Sequence, residues 1–595
     1  MLERFLAPLA AFVLALSGAT LTACARTGPE DSGGGGAADA GKPPEPDAGP
    51  PIQTSDKLDV LLVVDNSDDL DLMHDVLANT VPYLMQRLAQ PACVNGLGNV
   101  VAQTASPTAP CPVGVREFAP VTDVHVGVVT TSLGGHGADT CSPTSIQFDP
   151  EQDDAAHLVS RGLDGGTIPT WHNAGFLLWD PGQKASPPGD SDLGTFDAKL
   201  AAIVQGVGDK GCGFEAQLES FYRFLIDPAP YQSISLENGV AVAHGTDTAL
   251  LQQRADFLRP DSAVAIVVVT DENDCSTRDG GSYYLPMLSI DPGTGQAFRM
   301  PRARAECAKD PNDPCCLSCA QKAPASCPPD PTCEASPTLS DAEDPLDLRC
   351  FDQKRRFGVD FLWPTSRYVD GLTQPTVADR SGNVGANPLF SAGRAPGLVV
   401  FAAVVGVPWQ DIAAYPTSLA LGFRPGEEID WATVIGDPEH DVAPGDPLMV
   451  PSVTPRTGTN PATGEALAPP DAGYGANAIN GHERTIATMD DLEPTCIYAR
   501  PSPKDCTDSQ ANCACVGTDI DTNPECQAPD GSYGPLQYAH RALPGIRQLE
   551  VVKGLGPRGV AGSICAAVTA DTASPIYGYK PTVDGVLRAL RGRLR

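Results

Sequence analysis

Residues 58–70 read LDVLLVVDNSDDL, from Leu58 to Leu70, and the interpretation of this stretch decides the fold. Leu58–Val64 is dominated by leucine and valine and breaks abruptly into Asp65, Asn66, Ser67, Asp68 and Asp69. An apolar run of this length that ends in turn-forming polar residues reads as a strand buried on both faces. Asp71–Gln90 follows with Leu72, Met73, Val76, Leu77, Leu84, Met85 and Leu88 at helical spacing. Asp65, Ser67 and Asp69 therefore sit where a central strand hands over to a helix, the position at which open α/β sheets bind ligands.

Further strands are predicted at Asp123–Thr130, Phe176–Trp179, Ser262–Thr270, Leu398–Val405 and Val560–Ala566. Helical spacing recurs at Phe196–Val207, Phe214–Leu225 and Val583–Leu594. Strands alternating with helices predict an α/β fold with a doubly wound, mostly parallel sheet. Like Leu58–Val64, the β-branched run Ser262–Thr270 ends in an acidic stretch, here Asp271, Glu272, Asn273 and Asp274, three of them carboxylates. Residues 275–356 and 408–540 interrupt this rhythm. Both are rich in cysteine and proline and short of periodicity, so they read as insertions stapled by disulfides. The domain is then expected in three pieces, 56–274, 357–407 and 541–595.

The chain carries 40 basic and 74 acidic side chains, a net charge of −34, which argues against nucleic acid as a partner. The same acidity suits either a solvated surface or affinity for divalent cations. Residues 1–23 have Arg4 ahead of an apolar stretch from Phe5 to Ser17 and close on Leu21-Thr22-Ala23, with Cys24 next. This predicts a secretory signal, and the closing residues resemble the lipobox of bacterial lipoproteins, in which the cysteine is lipidated. Cys24 is accordingly the expected membrane anchor, on a bacterial cell envelope at the outer membrane or cell surface. Residues 24–55, rich in Gly, Pro, Ala and Asp, read as a tether. Of 19 cysteines, setting Cys24 aside leaves an even number in an exported chain, for which disulfides are the default use.

An apolar strand ending in Asp65-x-Ser67, a Gly-rich turn at Gly211-Cys212-Gly213-Phe214-Glu215, and a second apolar strand ending in Thr270-Asp271 resemble a von Willebrand factor A domain. The layout as a whole is similar to bacterial lipoproteins that carry such a domain behind a tether. The resemblance implies a metal-dependent adhesion site with the pattern Asp-x-Ser-x-Ser, a threonine from a later loop, and an aspartate after the fourth strand. Asp65, Ser67 and Asp271 match this pattern. Asp69 stands at the second serine, and Glu215 is the nearest oxygen donor where the threonine belongs. With Asp69 and Glu215 added, a hard cation, Ca²⁺ or Mg²⁺, would find more of its charge met within the protein, which favours Ca²⁺. The alternative is that these carboxylates cap the helices that follow.

The implied function is a binding module that holds a cation and a protein or other extracellular ligand. A structural envelope protein with a vestigial site and a metal-dependent hydrolase are the alternatives. No H-E-x-x-H, G-x-S-x-G or G-x-x-x-x-G-K-S/T motif occurs in the sequence. Cys315-Cys316-x-x-Cys319 and Cys513-x-Cys515 have zinc-like spacings, but export favours disulfides. Asp519–Asn523 resembles the start of a Ca²⁺ loop without its later glycine and glutamate, and reads as a turn. His74 reads as a surface residue of the first helix, and Gly134–Gly137 as a flexible loop.

Overall fold

The computed structural model describes residues 53–595 apart from 97, 142–147, 508–512 and 518–519. The signal segment, Cys24 and the tether as far as residue 52 lie outside the described residues, as does Asp519.

Leu58–Val64 forms β1 and pairs in parallel on both sides, with β2 (Val124–Thr130) and with β4 (Ala263–Val269). Beyond β2 lies the short β3 (Phe176–Trp179), antiparallel to it. Beyond β4 lies β5 (Val399–Val405). A two-stranded hairpin of β6 (Cys496–Asp505) and β7 (Leu536–Ala542) follows in the chain, and β8 (Gly559–Ser563) then closes the sheet beside β5. The sheet order is β8-β5-β4-β1-β2-β3, and every pair except β2–β3 is parallel. This is the doubly wound arrangement, in which strand order reverses between β1 and β4.

Alternation along β1 divides its side chains between two cores. Leu58, Val60, Leu62 and Val64 face α1 (Asp71–Ala89), α2 (Leu193–Gln205) and the C-terminal helix α6 (Lys580–Leu590). Leu61 and Val63 face α3 (Gln217–Leu225), α4 (Thr248–Phe257) and α5 (Ile546–Leu555). Burial on both faces explains why β1, β2, β4 and β5 carry so little polar sequence.

All cysteines from Cys93 to Cys565 are joined in nine disulfides. Cys315, Cys316 and Cys319 pair with Cys327, Cys307 and Cys333, and Cys513 and Cys515 pair with Cys506 and Cys526. Cys275–Cys350 closes the first insertion at its base, and Cys496–Cys565 ties the start of β6 to the chain beyond β8. The second insertion is not wholly loop-like, because it contains β6 and most of β7. Pro501 and Pro503 lie within β6, and the ladder slips between Ala499 and Lys504. A two-stranded ribbon tolerates such prolines because each strand has an outer edge that needs no partner.

Alkylation under denaturing, non-reducing conditions followed by intact-mass measurement is expected to leave every cysteine from Cys93 to Cys565 unlabelled. Label on Cys315, Cys316 or Cys319 would return that cluster to a free-thiol or metal-binding role.

Candidate functional site

The ladder between β1 and β4 extends one residue past β1, through Asp65 N–H donating to Val269 O at 3.0 Å. The Asp65 side chain is thereby held, fully buried, between the ends of three strands. Its Oδ1 accepts from the Ser67 backbone N–H at 3.0 Å and from Thr131 Oγ1 at 3.4 Å, and its Oδ2 accepts from Thr270 Oγ1. Thr131 and Thr270 follow the last residues of β2 and β4, so each neighbouring strand lends one hydroxyl. Burial, reinforced by the nearby charge of Asp271, pushes the Asp65 carboxyl up to about 6. His74 is buried, not on the surface, and its Nε2 donates to Asp65 O at 2.7 Å. Burial lowers its pKa, so it acts here as a neutral imidazole.

The turn before α3 is stitched to the same strand ends. Gly211 N–H donates to Asn66 O at 2.8 Å, Cys212 N–H to Ser132 Oγ at 2.9 Å, and Ala216 N–H to Thr131 O at 2.9 Å. A Cβ on Gly211 would stand 2.4 Å from Asn66 Oδ1, so the close approach requires glycine there. These bonds carry Glu215 to the β4 loop, where its buried carboxyl hydrogen-bonds to that of Glu272. Burial raises both pKa values, reinforced at Glu215 by the charges of Glu272 and Asp65 and at Glu272 by those of Asp271 and Asp65. Asp274, the third acidic residue of that loop, does cap a helix: its Oδ1 accepts from Leu218 N–H in the first turn of α3 at 3.0 Å.

The remaining polar partners come from the hairpin. Asp69 adopts a left-handed conformation, with φ of 62°. Its Oδ1 accepts from Lys504 Nζ at 2.8 Å and its Oδ2 from Gln537 Nε2 at 2.9 Å. Lys504 also reaches Asp71, as does Arg500. His540 stands between the two acidic loops, with Nε2 at 3.2 Å from Asp271 Oδ2 and Nδ1 at 3.7 Å from Asp69 Oδ2. Burial opposes a charge on this imidazole, but the two aspartates outweigh it and raise its pKa. Asp271 Oδ1 is buried and receives no hydrogen bond from any described residue.

Ser67, Asp69, Glu215 and Asp271 all line one cleft of about 680 Å³ at the carboxyl edge of the sheet, and Asp65 is buried next to it. The strand ends form its floor. The insertions supply walls through Leu346 and Asp347 from the first and Glu525 and His540 from the second, with Arg541 next in the chain. Ser67 and Asp271 line the same cleft, and Asp65, buried beside it, accepts from Ser67 N–H and feels the charge of Asp271, whereas Asp69 is engaged by Lys504 and Glu215 by Glu272. Among the described residues, no three His, Cys, Asp or Glu side chains are gathered as they stand into a set that could hold a metal ion. Sequence reasoning missed Thr131, Lys504, Gln537 and His540. Thr131 could have been found as the first hydroxyl beyond a buried strand. Lys504 and Gln537 lie more than 430 residues from Asp69 and His540 lies 269 from Asp271, so none of the three carries a local signal.

Comparison of the chain with family models, with curated proteins and with solved structures found no match.

A carboxyl whose pKa is higher folded than unfolded takes up a proton on folding, so its effect on stability becomes less favourable as pH rises. For Glu272 the window runs from about 4.5 to about 8. Thermal unfolding followed across this range is expected to show a steeper fall for the wild type than for Glu272→Gln, with the variant the more stable at pH 8. Parallel curves would show that the fold does not raise the pKa of Glu272.

Proposed function

We propose that this chain is an exported, lipid-anchored binding protein whose folded part is a von Willebrand factor A-type domain. On this reading a divalent cation is held at the loops after β1 and β4, and a partner is gripped in the cleft. One observation carries the proposal: two carboxylates from the two central loops converge, Asp271 raises the pKa of Asp65, and Asp271 Oδ1 is buried without a hydrogen-bond donor. A cation beside them would relieve that repulsion. The doubly wound order with an antiparallel β3 edge and the Asp65-x-Ser67 pattern support the domain type. The Leu21-Thr22-Ala23-Cys24 motif supports the anchor, and no helix among the described residues is long and apolar enough to cross a membrane.

The donor set suits the ion. Asp65, Ser67 and Asp271 would hold it through hard oxygen atoms, and the ion would supply a positive centre for a partner's donor group. Two carboxylates and a hydroxyl leave much of the coordination shell to water, which is the habit of Mg²⁺. Ca²⁺ would call on Asp69 and Glu215 as well, and these are engaged by Lys504 and Glu272. The balance therefore moves toward Mg²⁺.

A second reading has its own observation. Lys504 and His540 already bring positive charge to Asp69 and Asp271, as a structural protein with a vestigial site would require. Calorimetric titration of Mg²⁺ and Ca²⁺ into the full-length chain separates the two. Saturable heat and a raised unfolding temperature are expected, lost in Asp65→Ala and weakened in Ser67→Ala. The serine variant keeps the net charge, so its loss distinguishes a site from general attraction to an acidic surface. A wild type without cation-dependent heat or stabilisation would leave the structural reading standing.

A further inference from the structure

The cleft beside Asp65 has a lining that a small inorganic ion does not account for. Its acidic residues extend well beyond the strand ends, to Asp68 on the β1 loop, Asp139 beyond β2, Asp347 on the first insertion and Glu525 on the second. Between them lie Phe148, Phe214, Leu346 and Leu543, so carboxylates alternate with apolar surface. At about 680 Å³ the cleft has the volume of an organic-ligand site.

Glu525 points to the ligand's charge. The residue is 1 % exposed, yet its Oε2 receives no hydrogen bond. Arg541 Nε, 3.7 Å away, forms an ion pair with this oxygen but lies beyond hydrogen-bonding distance. The other oxygen accepts from Arg541 N–H at 3.2 Å and Gln537 Nε2 at 3.4 Å, which fixes the carboxylate against the cleft wall. A buried acceptor left in this state calls for a donor. The chain itself shows which donors this rim takes: the Lys504 ammonium sits on Asp69 and Asp71, and the Arg541 guanidinium on Asp491.

Resting on the reading of this cleft as the ligand site, we propose that the partner is a basic peptide segment, which inserts a lysine or arginine side chain between Asp347, Asp68 and Glu525. Lysine and arginine join a long apolar stem to a charged head, and they bury the stem along apolar surface while the head meets polar groups. Phe148 and Phe214 would receive the stem and the carboxylates the head. Both insertions contribute to the walls, so they would determine which segment is accepted.

The test is fluorescence anisotropy with the full-length chain and two labelled peptides, one of alternating lysine and glycine, the other of alternating glutamate and glycine. Each is measured in Mg²⁺ and in EDTA. Saturable binding of the lysine peptide alone is expected. Neutralising two charges in Asp68→Asn/Asp347→Asn should weaken it by about fivefold, at roughly half a kcal/mol for each exposed pair. The equally neutralised Asp256→Asn/Glu334→Gln, whose exposed side chains lie outside the cleft, should bind as wild type does. Absence of lysine-peptide binding, equal loss in both double variants, or preference for the glutamate peptide would overturn the proposal. Mg²⁺ heat without lysine-peptide binding would leave the cation site standing and sink this inference. Lysine-peptide binding with no Mg²⁺ response would do the reverse.

Discussion

Two carboxylates lie buried on the central strand, and the different ways they are accommodated organise the molecule. Near the start of β1, Asp59 is met by a full counter-charge. Arg259 donates through its backbone N–H at 2.9 Å and through Nε at 2.8 Å, and its Nη2 lies 2.6 Å from Asp59 Oδ1. Ser262 adds a hydroxyl. At the other end, Asp65 is equally buried but meets two threonine hydroxyls, a backbone N–H and the repelling charge of Asp271. An ion pair with this many hydrogen bonds is self-sufficient, whereas a carboxylate held by neutral donors beside a like charge stores unfavourable energy. The first end is structure. The second is where chemistry remains to be completed, and it coincides with the reversal of strand order between β1 and β4.

The insertions follow from this arrangement. A sheet edge carrying Asp65, Asp69, Asp71, Asp271, Glu215 and Glu272 repels itself unless cations are brought to it. The hairpin brings them: Lys504 and Arg500 from β6, His540 from β7. Its aim depends on the Cys496–Cys565 bridge at its base and on Leu543 N–H, which donates to Asp271 O at 2.7 Å just beyond β7. Short disulfide loops hold the rest of both insertions, where few long elements could do so by packing. The covalent framework thus holds in place the groups that keep the acidic edge together.

The central sheet was legible in the sequence because burial on both faces writes itself as runs dominated by Val, Leu, Ile and Ala, broken in β1 by Asp59 and in β2 by His125 and Gly127. The predicted ends of β1 and β3 coincide with the observed ones, and those of β2, β4 and β5 fall within a residue. The hairpin was not legible, since Pro501, Pro503 and a slipped register efface the alternation that marks a half-buried strand. His74 misled for a related reason: a histidine on an amphipathic helix looks solvent-facing until the strand's carbonyl above it is known. The candidate site was half legible. Asp65, Ser67 and Asp271 follow from strand ends, a local property, but the partners of Asp69 follow only from the folded path of the second insertion.

Asp69 shows how such a distant partner changes the meaning of a residue. Considered alone, a second aspartate in the β1 loop adds negative charge where the von Willebrand pattern has a neutral serine. In the folded chain Lys504 answers that charge, and Arg500 answers Asp71. Burial raises the pKa values of Glu215 and Glu272, which favours their neutral forms and lessens the charge of that pair. Beyond the strand ends, His540 reaches Asp271, while Asp65 is held by two hydroxyls and a backbone N–H beside the like charge of Asp271. Like charge therefore meets like at these two residues just past β1 and β4, while the acidic residues added around them are matched or extend into the cleft wall. Lys504 in this way makes an added aspartate compatible with a cation site, by keeping the charge of Asp69 from adding to that of Asp65.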